Sequence, residues 1–307
     1  MRRYRWIIRL ALLALVLALS ASACAEEEAS PYTENEWDYV DGSIDVSEGI
    51  PKDAEGVLAD IRDRGILRVA TEPYFPPQEF IDPTLSGQDK YIGADMAMAR
   101  TIARRMGVEL VIVPMEFTQV LDAVREGECD LAISALSYTP GRASQVELSK
   151  GYYFSGEGAG CSLIIRTGDA EAIHGVNDLQ DRNIVAQSGS LQEMLMAEKV
   201  TNYHEFRRLP SIQAVYEALE DGNADAAMVD VNSARAYIEN NPECGLMLVE
   251  GEHFMLEDAF DGDRIAGKKG ELQLMYFING IIDELLASDQ YDAWYTMYEQ
   301  RAAQLGM

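Results

Sequence analysis

The sequence predicts an α/β protein of two lobes, each built on a doubly wound sheet, with hinges between them. Three observations carry this prediction. Short apolar runs alternate with amphipathic helical patterns, the arrangement that forms sheets covered by helices on both faces. One helix–glycine–strand unit occurs twice, and a glycine-rich stretch lies between the two copies. The chain of 307 residues is also long enough for two modest domains.

The elements of the first lobe follow from the hydrophobic period and from the residues that end helices. Short apolar runs indicate buried strands, whereas apolar positions at every third or fourth residue before a glycine indicate helices. The predicted elements are a helix at Ala54–Arg64, a strand at Ile66–Thr71, a helix that follows Gly93 and ends at Gly107, a strand at Glu109–Pro114, a helix at Thr118–Glu126 and a strand at Leu131–Ser134.

The internal repeat pairs residues 120–133 with residues 215–228. Each copy reads as an amphipathic helix, a glycine (Gly127 or Gly222), an aspartate two or three residues later and a short buried strand. Two lobes of similar construction, each with its own sheet, explain the repeat most simply. The alternative is chance, because helix–glycine–strand units are common.

The segment between the two copies predicts the start of the second lobe. Strands are expected at Cys161–Arg166 and Asn183–Gln187. The glycine-rich residues Ser155–Gly160 precede the first strand and suit a hinge. Because a strand rather than a helix follows these glycines, they do not form a phosphate loop.

The chain is expected to return to the first lobe through a second hinge near Asp261–Ile265. Two terminal helices, Gly270–Ala287 and one that begins near Tyr291, then complete it. The predicted lobes are residues 54–156 together with 260–307, and residues 157–259.

The N-terminus predicts export. Four arginines precede an apolar run and a small-residue stretch that ends at Cys24, so residues 1–23 read as a signal peptide. The cysteine resembles that of a bacterial lipobox, although Ala21 stands where the pattern prefers leucine. We therefore expect an extracytoplasmic protein anchored to the membrane by lipid at Cys24, with residues 24–53 as an acidic tether. Ordinary signal cleavage near Ala23 is the alternative.

The charge and the scarce metal-binding residues exclude several functions. A formal net charge of −27 opposes binding to nucleic acid, which requires clustered lysine and arginine. Cys129, Cys161 and Cys244 have no metal-like spacing, and the three histidines are scattered. Buried free thiols are expected, with a disulfide between two of them as the alternative. We expect neither a metal nor another cofactor.

One arginine lies at a position that is unfavourable for helix stability. Thr139 and Pro140 suit the N-cap and first position of a helix, so Arg142 falls in its first turn. A cation there opposes the helix dipole at a cost of about 0.3–1 kcal/mol. An anion bound nearby would account for this placement. The alternative is a surface arginine paired with a local acid.

Two further strand ends carry polar residues. Ser190 and Glu193 form a capping-box pattern directly after a predicted strand, where open α/β sheets bind ligands. Asp230 ends the strand of the second repeat copy and could pair with an ammonium group. Helix capping alone is the alternative explanation for Ser190 and for Asp230.

Five segments taken together resemble the family 3 periplasmic solute-binding proteins, the amino-acid receptors of ABC importers. They are Leu67–Phe80, Tyr91–Gly107, Ile133–Gly156, Val185–Glu193 and Ala224–Asp230. The resemblance covers about Gly65 to the C-terminus. It implies the type II periplasmic-binding-protein fold, in which two hinged lobes close on a ligand.

The resemblance also implies roles at matching positions. Arg142 would bind a ligand α-carboxylate, and Asp230 would bind the α-ammonium. The remaining implied ligand-binding residues are Glu72 as an acid found in receptors for basic amino acids, Phe75 and Phe117 as aromatic walls, Ser134 and Ser137 as pocket serines, the Leu136 carbonyl beside the ammonium, and the backbone N–H groups of Ser190 and Leu191. Ala135 and Leu191 depart from the family pattern, which leaves the side-chain end of the pocket open.

These features predict a monomeric receptor that captures an amino acid, polar or cationic, and presents it to a membrane permease without covalent chemistry. A dehydratase built on the same fold is the alternative from another class. The sequence shows no nucleophile motif or metal cluster that would favour it. A ligand-sensing receptor domain is the third possible function.

Overall fold

The computed structural model describes residues 49–154, 160–254 and 262–307. The predicted signal peptide, Cys24, most of the tether and most of the first hinge lie outside these residues, whereas only Asp261 of the second hinge does. Within the described part of the chain, no helix combines the length and the apolar character needed to cross a membrane.

Helices and strands alternate along most of the described chain. In order they are α1 (Gly56–Arg64), β1 (Ile66–Thr71), β2 (Tyr74–Phe75), β3 (Glu79–Ile81), β4 (Tyr91–Ile92), α2 (Ala94–Met106), β5 (Glu109–Pro114), α3 (Phe117–Glu126), β6 (Leu131–Ser137), α4 (Pro140–Gln145), β7 (Val146–Leu148), β8 (Cys161–Arg166), β9 (Asn183–Gln187), α5 (Leu191–Lys199), β10 (Glu205–Leu209), α6 (Ile212–Glu220), β11 (Ala226–Asp230), α7 (Val231–Asn240), β12 (Leu246–Leu248), β13 (Asp263–Lys268), α8 (Leu272–Ala287) and α9 (Gln290–Leu305).

Two five-stranded sheets share one topology. The first has the order β5-β1-β6-β13-β7 and the second the order β10-β9-β11-β8-β12. In each sheet the first three strands are parallel and the last two pairings are antiparallel. The strands of the internal repeat, β6 and β11, both occupy the central position. The repeat therefore marks two similar lobes, as the sequence predicts.

Both faces of the second sheet are covered, which is why its strands are apolar at nearly every position. Leu163 and Ile165 of β8 pack into one buried cluster, and Ile164 packs into another. Consecutive side chains of a strand point to opposite faces, so one strand supplies both clusters. Helix α5 packs on β9 and β11, whereas α6 packs on β9 and β8. This is the doubly wound arrangement.

Helix ends and several strands lie where the sequence predicts them. Gly107 and Gly127 end α2 and α3 with φ of 72° and 82°, the left-handed conformation that glycine adopts without steric cost. Strand β6 is longer than predicted and continues from Ser134 to Ser137 because Leu136 and Ser137 pair with β13. That partner is more than 120 residues away, so no local pattern reveals it. The small sheet β2-β3-β4 was also not predicted.

The three described thiols, Cys129, Cys161 and Cys244, are free. The first two are buried among apolar side chains, as expected from their strand-like surroundings. The alternative of a disulfide between two of the three is wrong.

Candidate functional site

A small pocket lies between the lobes, where strands of both sheets end. Strands β1, β6 and β9 all direct their carboxyl ends towards it, the position where open α/β sheets bind ligands. The cavity is about 40 Å³ in volume. Its walls hold Glu72, Phe75, Glu79, Phe117, Ser134, Ala135, Ser137, Arg142, Gln187, Ser190, Leu191 and Gln192. Eight of the ten residues proposed from sequence are among them, and Leu136 and Asp230 are not.

Arg142 is placed by a short capped helix. The Thr139 hydroxyl accepts a hydrogen bond from the Arg142 backbone N–H at 3.1 Å, and Pro140 occupies the first helical position. The predicted helix start is therefore confirmed. The guanidinium donates to the Ser137 carbonyl at 2.7 Å and to the Gly189 carbonyl, on the other lobe, at 3.1 Å.

The guanidinium of Arg142 is buried without a carboxylate partner. The residue is 8% exposed, and no acid of the described chain lies within ion-pair distance of it. Burial lowers the pKa of Arg142 to about 10, while the more distant charge of Asp263 acts in the opposite direction. A surface arginine paired with a local acid, the alternative from the sequence, is therefore wrong. A buried cation without an anion is costly, and a bound anion would offset that cost.

Ser190 caps the helix on the opposite side of the pocket. Its hydroxyl accepts a hydrogen bond from the Glu193 backbone N–H at 3.0 Å, which confirms the predicted N-cap. The Glu193 carboxylate returns to the Gly189 N–H at 2.7 Å rather than to Ser190 itself. The Ser190 N–H donates to the Gln187 carbonyl at 3.3 Å. In this structure that N–H therefore closes a turn within the chain.

Asp230 and Leu136 lie outside the pocket lining. Asp230 ends β11 and caps α7, where its Oδ1 accepts a hydrogen bond from the Ser233 N–H at 2.8 Å. The side chain of Leu136 is 1% exposed and packs in the core of the first lobe. Capping, the alternative explanation for Asp230, is thus present, and it uses one of the two carboxylate oxygens.

At the deep end of the pocket, each lobe contributes one buried polar atom that has no hydrogen bond of normal geometry. Glu72 follows β1 and is 2% exposed, and its Oε1 has no hydrogen-bond partner. The same holds for Nε2 of Gln187, which ends β9 of the second lobe. Burial, followed by the charge of Glu116, raises the pKa of Glu72 to about 7, whereas the Tyr74 backbone N–H and the Gln187 side chain, which approaches the Glu72 carboxylate without a hydrogen bond of normal geometry, lower it. Both side chains line the pocket and can be reached by a polar ligand.

A buried acid that the sequence analysis missed supports this end of the pocket. Glu79 accepts a hydrogen bond from the Ser134 hydroxyl at 3.1 Å, and Ser134 in turn accepts the Glu72 N–H at 3.0 Å. Burial and the charge of Asp95 raise the pKa of Glu79 well above its usual range. We therefore assign the proton of this acid pair to Glu79, which donates to Asp95.

Asp95 is the charged partner in that pair. Its carboxylate accepts the hydroxyls of Tyr291 at 2.6 Å and Tyr152 at 2.9 Å, and the Ala135 N–H at 3.0 Å. The last bond fixes Ala135 in a left-handed conformation with φ of 45°. An acid in the first turn of a helix is expected from the helix dipole alone. For that reason no local pattern in the sequence indicates this role.

Two similar sheets that meet at a charged cleft define the class of two-lobed periplasmic binding proteins. The chain belongs to the bacterial extracellular solute-binding proteins, family 3, whose family model matches residues 67–300.

Individual relatives include both binding proteins and an enzyme. A probable histidine-binding protein of Campylobacter jejuni is 28% identical over 236 residues, 76% of this chain and 84% of the relative. The crystal structure of the substrate-binding protein AbpA from Streptococcus pneumoniae bound to L-arginine is 30% identical, with a TM-score of 0.70 over 79% of this chain and 98% of the other. A cyclohexadienyl dehydratase of Pseudomonas aeruginosa is 26% identical over 191 residues, 62% of this chain and 68% of the enzyme.

Proposed function

We propose that this protein binds a free amino acid in the pocket between its lobes and delivers it to the permease of an ABC transporter. Arg142 carries the proposal, because it is a buried guanidinium that faces the pocket without an acidic partner. A carboxylate can accept two parallel hydrogen bonds from a guanidinium. The α-carboxylate of an amino acid is therefore the group that we place against Arg142. Ser137 stands beside it in the pocket wall.

The ligand's side chain is proposed to be cationic or otherwise polar. It would extend between Phe75 and Phe117 towards Glu72 and Gln187, whose buried polar atoms have no hydrogen-bond partner. Burying a polar atom without a hydrogen bond is costly, and an apolar side chain would leave Oε1 of Glu72 without a donor. The histidine-binding and arginine-bound relatives support the same class of ligand.

Capture is proposed to proceed by closure of the two lobes on the ligand, with the lobe boundaries given by the sequence. The contact from Arg142 to the Gly189 carbonyl already spans the lobes. The N-terminal sequence supports export and lipid attachment at Cys24, which would tether a monomer near its permease at the membrane.

The test is calorimetric titration of the mature protein, stripped of ligand, with each of the twenty amino acids. We expect one polar or cationic amino acid to bind most tightly. Arg142→Ala should weaken that binding at least 100-fold, because two charge-assisted hydrogen bonds contribute about 3 kcal/mol or more.

Two further variants make the result specific. Arg142→Lys retains the charge but not the paired geometry and should also bind weakly. Arg125→Ala removes an exposed arginine that pairs with Asp122 and should bind like the wild type. Thermal unfolding of Arg142→Ala should change little, because the substitution removes a buried charge without breaking an ion pair. Wild-type affinity in Arg142→Ala would contradict the proposed function.

A dehydratase is the second candidate, and one observation favours it. Glu72 is a buried acid whose pKa is raised to about 7, as a general acid at neutral pH requires. Incubation of the protein with prephenate or arogenate would decide between the two functions. We expect no turnover, because the pocket supplies groups that bind an α-amino acid rather than groups aimed at a leaving hydroxyl. Catalytic turnover would reverse this ranking.

A further inference from the structure

A second cavity, larger than the amino-acid pocket, also lies between the two lobes. Its volume is about 300 Å³, whereas that of the pocket is about 40 Å³. Sites for small organic molecules have volumes of roughly 300–1,000 Å³, so this larger cavity is of a size that could take a bulky side chain. Most of its walls are apolar, and they include Tyr74 and Phe80 of the first lobe and Ile212, Tyr216 and Tyr237 of the second.

Phe75 lies at the boundary between the two spaces. Of the described residues that line either the pocket or the larger cavity, Phe75 alone lines both. It is the last residue of β2, which pairs with β3 in antiparallel register. This pair of short strands therefore forms part of the wall between the pocket and the larger cavity.

The side chains of β2 and β3 alternate between the two spaces. Phe75 lies opposite Glu79, and Tyr74 lies opposite Phe80. Residues directly opposite each other share a face of the sheet, whereas neighbours along a strand point to opposite faces. Glu79 lines the amino-acid pocket, while Tyr74 and Phe80 line the larger cavity. The side chain of Phe75 is therefore on the pocket side of the strands.

The ring of Phe75 also closes the gap between these strands and the second lobe. It packs against the buried cluster of the second lobe that contains Ile212, Val215 and Tyr216 of α6. Ile212 and Tyr216 are also walls of the larger cavity. Because the ring contacts the same group of residues that encloses the cavity behind it, removal of the ring should join the two spaces.

The two spaces suit different side chains. The pocket contains the buried Arg142 guanidinium and Oε1 of Glu72, which is buried without a hydrogen bond, so it favours a ligand with charged or polar ends. Among the described residues that line the larger cavity there is no lysine or arginine, and aromatic rings and prolines predominate. That cavity favours a bulky apolar group, above all an aromatic one.

We propose that Phe75 is a specificity-determining residue, which separates the amino-acid pocket from the larger cavity and so excludes amino acids with bulky aromatic side chains. The inference rests on the proposed function. The family resemblance implies only an aromatic wall at this position, and the inference adds a role that depends on the space behind that wall. By closing this space, Phe75 keeps the ligand side chain directed towards Glu72 and Gln187.

The experiment compares the affinities of two ligands for the wild type and for Phe75→Ala by calorimetry. One ligand is the amino acid that the wild type prefers, and the other is L-tryptophan. We expect Phe75→Ala to bind tryptophan at least about tenfold more tightly than the wild type does, because the indole ring would be buried in the larger cavity. The preferred amino acid should bind about tenfold more weakly, because its side chain loses one aromatic wall.

A milder variant covers the case in which Phe75→Ala does not fold or binds neither ligand. Phe75→Leu shortens the wall but keeps it apolar, and it should shift both affinities in the same directions by smaller factors. If neither variant binds tryptophan more tightly than the wild type, the inference is overturned.

Two controls locate the gain in affinity for tryptophan. Phe117→Ala removes the other aromatic wall of the pocket, which does not line the larger cavity, and should weaken both ligands. Ala236→Phe adds a ring to the α7 wall of the larger cavity. Alone it should leave the affinity for the preferred amino acid unchanged, and combined with Phe75→Ala it should cancel the gain. A gain that persists in this double variant, or an equal gain in Phe117→Ala, would contradict the role of Phe75.

The outcomes also separate this inference from the proposed function. A wild type that binds none of the twenty amino acids defeats both. A wild type that binds tryptophan as tightly as any other amino acid defeats only the role of Phe75, as does a wild type that binds a different amino acid while its Phe75 variants gain no affinity for tryptophan.

Discussion

The affinity for a cationic amino acid should depend on pH through Glu72, whereas the affinity for a neutral one should not. Burial raises the pKa of Glu72 to about 7 in the empty pocket, and the charge of Glu116 adds to this rise. A cationic side chain in contact with Glu72 favours the ionised carboxylate and lowers its pKa again. Binding must therefore release a proton wherever free Glu72 is protonated, and affinity must increase as the pH rises towards 7.

The magnitude follows from linkage. Each pH unit below the pKa of free Glu72 costs a cationic ligand about tenfold in affinity, or about 1.4 kcal/mol. Between pH 8 and pH 5.5 the expected loss is about 30-fold, nearly all of it below pH 7. A neutral ligand such as glutamine has no cation to favour the ionised form and should not show this loss.

A second group titrates in the same range and must be separated from Glu72. The pKa of Asp263 is also raised to about 7, chiefly by burial and then by Asp95. Arginine and glutamine carry the same α-carboxylate and α-ammonium, so the titration of Asp263 affects both ligands equally. The ratio of the two affinities therefore isolates Glu72, as does Glu72→Gln. Of the other polar groups at Glu72, Gln187 does not titrate, and Glu79 is already protonated in its pair with Asp95.

The assay is calorimetry at five pH values from 5.5 to 8, repeated in two buffers of different ionisation enthalpy to count released protons. We expect the arginine-to-glutamine affinity ratio to rise about 30-fold in the wild type. In Glu72→Gln it should stay constant. A constant ratio in a wild type that binds arginine would refute the placement of Glu72 beside the ligand side chain.

The remaining predictions concern stability and are measured by chemical or thermal unfolding. Glu79→Gln should change the free energy of unfolding by less than about 1 kcal/mol, because an amide can replace the protonated carboxyl as donor to Asp95. Asp95→Ala should cost more than about 3 kcal/mol, because it leaves the Tyr152 and Tyr291 hydroxyls, the Ala135 N–H and the Glu79 carboxyl without their acceptor; a loss as small as that of Glu79→Gln would contradict the assignment of the charge to Asp95. Gly93→Ala should cost about 2 kcal/mol or more, because φ is 124° and an added Cβ would lie 2.2 Å from the Gln78 carbonyl oxygen. Gly127→Ala, which meets no atom within 4 Å, is its matched control and should cost less.

The fold could be predicted wherever local signals and tertiary structure agree. Strands β1, β5, β8 and β9 have the predicted bounds, because an apolar run flanked by turn residues has few alternative structures. The internal repeat predicted two similar lobes, and its strands β6 and β11 occupy the same central position in the two sheets. The extension of β6 to Ser137 could not be foreseen, because it depends on pairing with a strand far along the chain.

Site residues could be predicted where the local sequence departs from what helix stability favours. Arg142 stood out because a cation in a helix's first turn opposes the dipole. Glu79, Asp95 and Asp263 did not stand out, because each is locally ordinary and becomes notable only when remote segments bury it. Gln187 is locally no more than the last residue of a strand. Its importance depends on its approach to Glu72 of the other lobe, which no local pattern reveals.

The proposed closure of the two lobes explains why an amino acid should be needed to hold the site shut. In this structure the Arg142 guanidinium is buried against carbonyl groups of both lobes, and Oε1 of the buried Glu72 has no hydrogen bond. Each of these arrangements costs free energy, because a buried charge needs an opposite charge. In a cationic amino acid, the α-carboxylate would meet Arg142, the α-ammonium would meet Asp230 and the charged side chain would meet Glu72. A ligand that lacks any one group leaves one of these costs in place, so the site selects for the whole charge pattern rather than for a single contact. The affinity losses of agmatine and 5-guanidinopentanoic acid relative to arginine should therefore add up to more than the loss of butylguanidine, which lacks both groups, and a loss of butylguanidine equal to their sum would show that closure does not depend on the combined pattern.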